Sequence, residues 1–161
     1  MSENPPTGFT LDLTDSAGVC AHLQSVWDAN FPAAKAMGLE VVSFEDHVLT
    51  ARAPLALNTN IHNTGFAGSL YTIQAMTAWG SIYLATKSAG MDAFIILARS
   101  EIDYAATVEE DLLATSDLTP HLSFLDQLRE SGKARLDLTT HVHTEKSGQA
   151  SSFQGRYITR V

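Results

Sequence analysis

The period of the apolar positions changes several times along the chain, and each change marks an element. From Asp15 to Met37, Val19, Leu23, Val26 and Trp27 recur at helical spacing, with Thr14, Asp15 or Ser16 as N-cap and Gly38 as stop. This predicts an amphipathic first helix with a break at Pro32. Two β-rich runs follow, Leu39–Phe44 and Val48–Leu55, separated by Glu45-Asp46-His47, and predict a hairpin. A polar loop, Asn58 to Gly65, then leads into Phe66 to Thr86, a stretch without a single charged side chain.

That neutral stretch decides the fold. A membrane span needs about 20 apolar residues, but Ser69, Thr72, Gln74, Thr77, Gly80 and Ser81 dilute this one below the hydropathy of a spanning helix. A helix apolar on nearly every side, set between strand-rich regions, is one surrounded by the protein's own sheet. At 1.5 Å per residue it would run roughly 30 Å, the length of a whole sheet.

After Gly90 the pattern is strand-like in Ala93–Tyr104, Asp111–Ser116, Lys133–Thr144 and Ala150–Arg160, giving about six strands in all. Alternation puts Ile96, Ala98, Ser100, Ile102 and Tyr104 on one face of the first of these runs and Arg99, Glu101 and Asp103 on the other. It likewise separates Ala134, Leu136, Leu138, Thr140 and Val142 from Arg135, Asp137, His141 and His143. Between Pro120 and Gly132, Leu122, Leu125 and Leu128 predict a short crossing helix. One long helix covers only one face of such a sheet, so packing alone leads us to expect a homo-oligomer.

Composition narrows the class further. The 161 residues, 45% hydrophobic, suit a single domain over 11–161, preceded by a flexible arm over 1–10 that carries Pro5 and Pro6. A net charge of −8 with ten Lys and Arg argues against nucleic-acid or anionic-membrane partners. One cysteine, Cys20, forbids an internal disulfide, and no basic start followed by an apolar run marks a secretory signal, so a cytoplasmic setting is expected. No metal site is expected: His141 and His143 share a strand face but lack a third ligand. No cofactor motif is present, and Arg52, Lys87, Arg99, Arg135 and Arg156 form no phosphate loop.

Several segments together resemble the hot-dog thioesterase superfamily, specifically the small thioesterase family also found as the C-terminal domain of an acetyltransferase-like bacterial protein. The matching segments are Ala53-Pro54-Leu55-Ala56-Leu57-Asn58-Thr59-Asn60-Ile61-His62, the helix start Gly65-Phe66-Ala67-Gly68-Ser69-Leu70-Tyr71 and the helix body Ala78-Trp79-Gly80. Further matches are Ala98-Arg99-Ser100-Glu101-Ile102-Asp103-Tyr104 with Val108, and the closing Gly155-Arg156-Tyr157. The resemblance implies an α+β hot-dog fold, a curved antiparallel sheet around one long helix, in a homodimer or homotetramer. It also implies hydrolysis of thioesters of coenzyme A or acyl carrier protein.

By that resemblance the amides around Ala67, Gly68 and Ser69 would hold the thioester carbonyl, as helix N-termini hold anions. Thr64, Gly65 and Phe66 would contact the substrate beside them. Asn60 and His62 would orient water or the carbonyl, although an asparagine there also suits an Asx turn, and a loop histidine often only bonds backbone. Gly65 and Gly68 either admit the ligand or merely shape the turn. Ser69 either attacks or, with no nucleophile elbow around it, caps the helix. Many relatives carry an Asp or Glu two turns into the helix; this chain has none in Thr72 to Thr77, leaving Gln74 and Thr77, which cannot accept a proton at neutral pH. The missing base would then be His62 or Glu101 of a neighbouring subunit, unless Glu101 only joins a salt-bridged face. Leu70, Ile73, Met76 and Thr77 would line the acyl tunnel. Two other functions remain open: an acyl-ligand binder without catalysis, and a hydratase or dehydratase, which would need a histidine and a carboxylate together.

Overall fold

A computed structural model describes residues 10–161, so the arm expected over 1–10 falls, except for Thr10, outside the described residues. The first helix starts where Asp15 accepts the Gly18 amide at 3.0 Å as N-cap. It breaks as expected at the proline: α1 spans Ser16–Asn30, and Pro32 opens a separate α2, Pro32–Ala36. Proline sets the φ of a first turn but cannot sit inside a helix without losing a bond.

The hairpin consists of β1 (Glu40–Glu45) and β2 (Val48–Ala53), with Glu45 paired to Val48. Asp46 and His47 at the two-residue turn both have positive φ, 48° and 65°, as a type I′ turn requires. β2 stops before Pro54, earlier than the expected Leu55, because proline cannot extend the ladder and Leu55–Leu57 curl into a 3-10 turn.

The neutral stretch is α3, Ala67–Ser88. β3 (Phe94–Tyr104), β4 (Leu112–Asp117), a short α4 (Phe124–Ser131), β5 (Lys133–Thr144) and β6 (Gly148–Arg160) complete the chain. The six strands form one sheet in the order β1-β2-β4-β5-β6-β3, every pair antiparallel. α3 lies across β2 to β6 on the inner face, α1 beside it against β1, and α4 against β5. Two buried clusters meet along α3: one joins Leu23, Trp27, Leu49, Ile73 and Leu84, the other Ile82, Leu128, Leu138, Phe153 and Tyr157. α3 is a core helix, and among the described residues no helix is long and apolar enough to cross a membrane.

On β5 the expected alternation holds: Ala134, Leu136, Leu138, Thr140 and Val142 are buried. On β3 it does not. A bulge between Leu97 and Arg99 inserts one residue opposite β6 and switches the face of everything beyond it. Ile95 and Leu97 therefore join Ile102 in packing on the core, whereas Ile96 and Phe94 are exposed, by 38% and 68%. The single apolar face expected from Ile96 to Tyr104 is in fact two half-faces.

Candidate active site

The loop that precedes α3 is held from below and from within. Buried Asn58 donates through Nδ2 to the carbonyls of Met37 and Pro54, both at 2.8 Å, and its own carbonyl accepts from the Phe66 amide at 2.7 Å. Inside the loop, Oδ1 of Asn60 accepts from the His62 amide at 2.8 Å and the Thr64 amide at 3.3 Å, while Nδ2 donates to Oγ1 of Thr64 at 3.0 Å. This is an Asx-type closure, the structural alternative weighed for Asn60. The Gly65 amide donates to the Val108 carbonyl at 2.7 Å, and a Cβ on Gly65 would come within 3.1 Å of Val108. A side chain at position 65 would therefore crowd Val108, which glycine avoids.

α3 begins at Ala67 with no side chain capping it and no acidic residue in its first turn. Its first amides have no intrahelical acceptor and carry the positive end of the helix dipole. A cleft of about 360 Å³ opens there, lined by Asn60, Thr64, Gly65, Ala67, Leu70 and the segment Tyr104–Val108. The Tyr104 hydroxyl donates to the Ala67 carbonyl at 3.0 Å, binding the wall of the cleft to the first helical turn. Burial raises the Tyr104 pKa, with Tyr71 adding to the shift. Tyr71 in turn shares a 2.7 Å hydrogen bond with Ser100.

The other expected site residues are distributed unevenly. His62 is exposed beside the cleft, as are Ile61 and Phe66, the latter two by 92% and 52%. The Phe66 ring occupies the space where Gly68 would carry a Cβ. Ser69 is buried at the helix start. Gln74 is fully buried behind the cleft, its Nε2 donating to the Leu70 carbonyl and to Oγ of Ser151, with no partner for Oε1 among the described residues. Thr77 is also fully buried and donates to the Ile73 carbonyl at 2.6 Å. Of the expected acyl-tunnel residues, Leu70 alone lines the cleft. Ile73 and Thr77 are fully buried and Met76 is half-buried, and none of the three lines it. Glu101 is exposed on the outer face of the sheet, in a separate cleft with Arg99 and Arg156. A single chain therefore brings together Asn60, Thr64, Gly65, Ala67 and Leu70, and leaves Glu101 apart.

Sequence reasoning passed over Asn58 as an anchor and Tyr104 as a cleft residue. Their roles rest on partners far away in sequence, Met37 for the one and Ala67 for the other. A polar loop residue and an end-of-strand tyrosine give no local sign of either.

Residues 20–161 match the model of the family described as "Putative thioesterase (yiiD_Cterm)". Among solved structures, a putative thioesterase from Shewanella oneidensis is 29% identical, with a TM-score of 0.80 over 90% of this chain and 99% of that one. A protein of unknown function from Chlorobaculum tepidum is 26% identical, with a TM-score of 0.82 over 90% of this chain and 96% of that one. A probable thioesterase from Pseudomonas aeruginosa is similar in fold alone, at 17% identity and a TM-score of 0.73 over 95% and 98% of the two chains. The hot-dog arrangement expected from the motifs is the one this chain adopts.

Proposed function

The chain belongs to this putative thioesterase family, and from that premise we propose that it hydrolyses acyl thioesters of coenzyme A or acyl carrier protein. The uncapped start of α3, opening into a cleft floored by the Asn60-closed loop, carries the reading. Free amides at Ala67, Gly68 and Ser69 suit the carbonyl oxygen, where negative charge develops as water adds. Water attacks the carbonyl carbon, the C–S bond breaks, and the thiolate leaves with the proton the water gave up, releasing a carboxylic acid.

The cleft residues include no carboxylate or imidazole, so the proton needs an acceptor from outside this wall. His62, exposed at the rim, is one; His62 or Glu101 of the partner subunit is the other. The reading therefore includes a cytoplasmic homodimer or homotetramer of one domain, 11–161, in which a second copy covers Ile61 and Phe66 and closes the cleft. The same lack of a base favours a second reading, an acyl-ligand binder that does no chemistry.

Turnover of an acyl-CoA series from short to long chains, aromatic groups included, separates the two. We expect hydrolysis by the wild type and its loss in Asn60→Ala and His62→Ala variants that keep their circular dichroism. Saturable acyl-CoA binding without turnover on any substrate would establish the binder instead.

A further inference from the structure

The chain carries net −8, yet half of its ten Lys and Arg residues stand on three neighbouring rungs of the outer sheet face. Register places Phe94, Arg160 and Lys133 on one rung, Ile96, Ile158 and Arg135 on the next, and Arg99, Arg156 and Asp137 on the third. The β3 bulge helps to build this patch, because it turns Arg99 outward beside Arg156.

Pairing separates these cations from the others. Arg52, Lys87, Arg129 and Lys146 each have a carboxylate partner, and of the cations elsewhere only Lys35 has none among the described residues. Within the patch only Arg156 is paired, to Asp137 at 2.7 Å, while Arg99, Lys133, Arg135 and Arg160 form no salt bridge among the described residues. Four unpaired cations gathered on one face of an acidic protein, around exposed Phe94 and Ile96, form a complementary surface rather than a solvated remainder.

The shape points to a macromolecule. The two clefts at the patch measure about 190 and 490 Å³; of the five cations the first gathers Arg99 and Arg156, beside Glu101 and Asp137, and the second only Arg135, beside Asp137. Neither collects more than two of the five charges, so no pocket focuses them on one small anion. Spread over three strands, they face a partner that presents several carboxylates across a surface.

We propose that this face docks an acidic carrier protein delivering the thioester, which rests on the thioester reading above and selects carrier protein over coenzyme A as the substrate's bearer. Arg99 and Tyr104 lie on the same edge strand, about 17 Å apart along it. The patch is on the outer face and the cleft opens on the inner one, so the pantetheine arm of a carrier seated on the patch passes around the edge of β3, the last strand of the sheet, to reach it. The encounter is steered by charge, and salt weakens it.

The test is binding of a bacterial acyl carrier protein bearing a non-hydrolysable acyl amide, measured by fluorescence anisotropy at about 50 and about 300 mM salt. We expect Kd to rise about tenfold with salt and at least about tenfold in the double variant Arg135→Glu, Arg160→Glu. The Lys35→Glu control should bind as wild type, and hydrolysis of a short acyl-pantetheine thioester should be the same in all three. Absent or salt-insensitive binding would overturn the proposal, as would equal loss in the control. So would a smaller assembly in the double variant on ultracentrifugation, which would make the face a contact between copies. A raised KM for acyl-CoA with unchanged carrier binding would make it a nucleotide phosphate site. Patch-dependent carrier binding with no hydrolysis of any thioester would keep the docking face and remove the hydrolase reading; hydrolysis without carrier binding would do the reverse.

Discussion

The Tyr104 hydroxyl donates to the Ala67 carbonyl at 3.0 Å, joining the last residue of β3 to the first of α3 across the mouth of the cleft. The bond fixes the helix start from which free amides project. Tyr104→Phe keeps the ring and removes the bond. A half-exposed hydrogen bond of this kind contributes about 0.5–1 kcal/mol, so Tm should fall by about 1–4 °C. Thioester turnover should fall more than that small change implies, because the amides lose their fixed aim. Differential scanning fluorimetry beside a kinetic assay checks both; unchanged kcat would remove Tyr104 from the site.

Asn60→Asp divides the loop-closing role of Asn60 from a role toward substrate. A carboxylate oxygen can still accept from the amides of His62 and Thr64, and the Thr64 hydroxyl can donate to it. Stability should stay within about 0.5 kcal/mol of wild type, because the Thr64 hydroxyl turning to donate to the carboxylate replaces the lost bond from Nδ2 of Asn60. Activity should drop by at least about tenfold, since a negative charge beside the carbonyl opposes the developing oxyanion. Full activity would show that Asn60 only closes the turn.

Asp111 gives the fold a defined acid sensitivity. Its carboxylate accepts from the Leu55 amide at 2.8 Å and from Arg52, and these bonds hold its pKa below the ordinary carboxylate value. A depressed folded-state pKa adds stability that is present above the unfolded value, near 3.9, and is lost as pH falls through the folded one. In urea titrations at about pH 7 and about pH 3, wild type should therefore lose more stability on acidification than Asp111→Asn. Equal losses would place the acid sensitivity elsewhere.

Gly155 in β6 has no room for a side chain. A Cβ there would stand 2.7 Å from both the Phe153 and Tyr157 rings and 3.2 Å from Leu97. Gly155→Ala should cost about 1–3 kcal/mol through overpacking, opposing the usual gain from removing a strand glycine. Chemical denaturation reads this directly, and a stabilised variant would show that the rings can move aside.

Much of the fold was already written in local pattern. The uncharged run from Phe66, the β-rich runs on either side and the breaks at Pro32 and Pro54 determine which segments are helix and which strand, because periodicity and proline act over a few residues. The loop motif around Asn60 likewise marked the loop that borders the cleft at the start of α3. Tertiary structure decided the rest. The bulge at Leu97 and Arg99 arises from pairing with β6, and no alternation within β3 announces it. The burial of Gln74 and Thr77 depends on which face of α3 meets the sheet, a choice a helix apolar on nearly every side leaves open. The basic rungs exist only because β6 is hydrogen-bonded in register both to its neighbour β5 and to β3, far from it in sequence, which places Arg99, Arg156 and Lys133 on one surface.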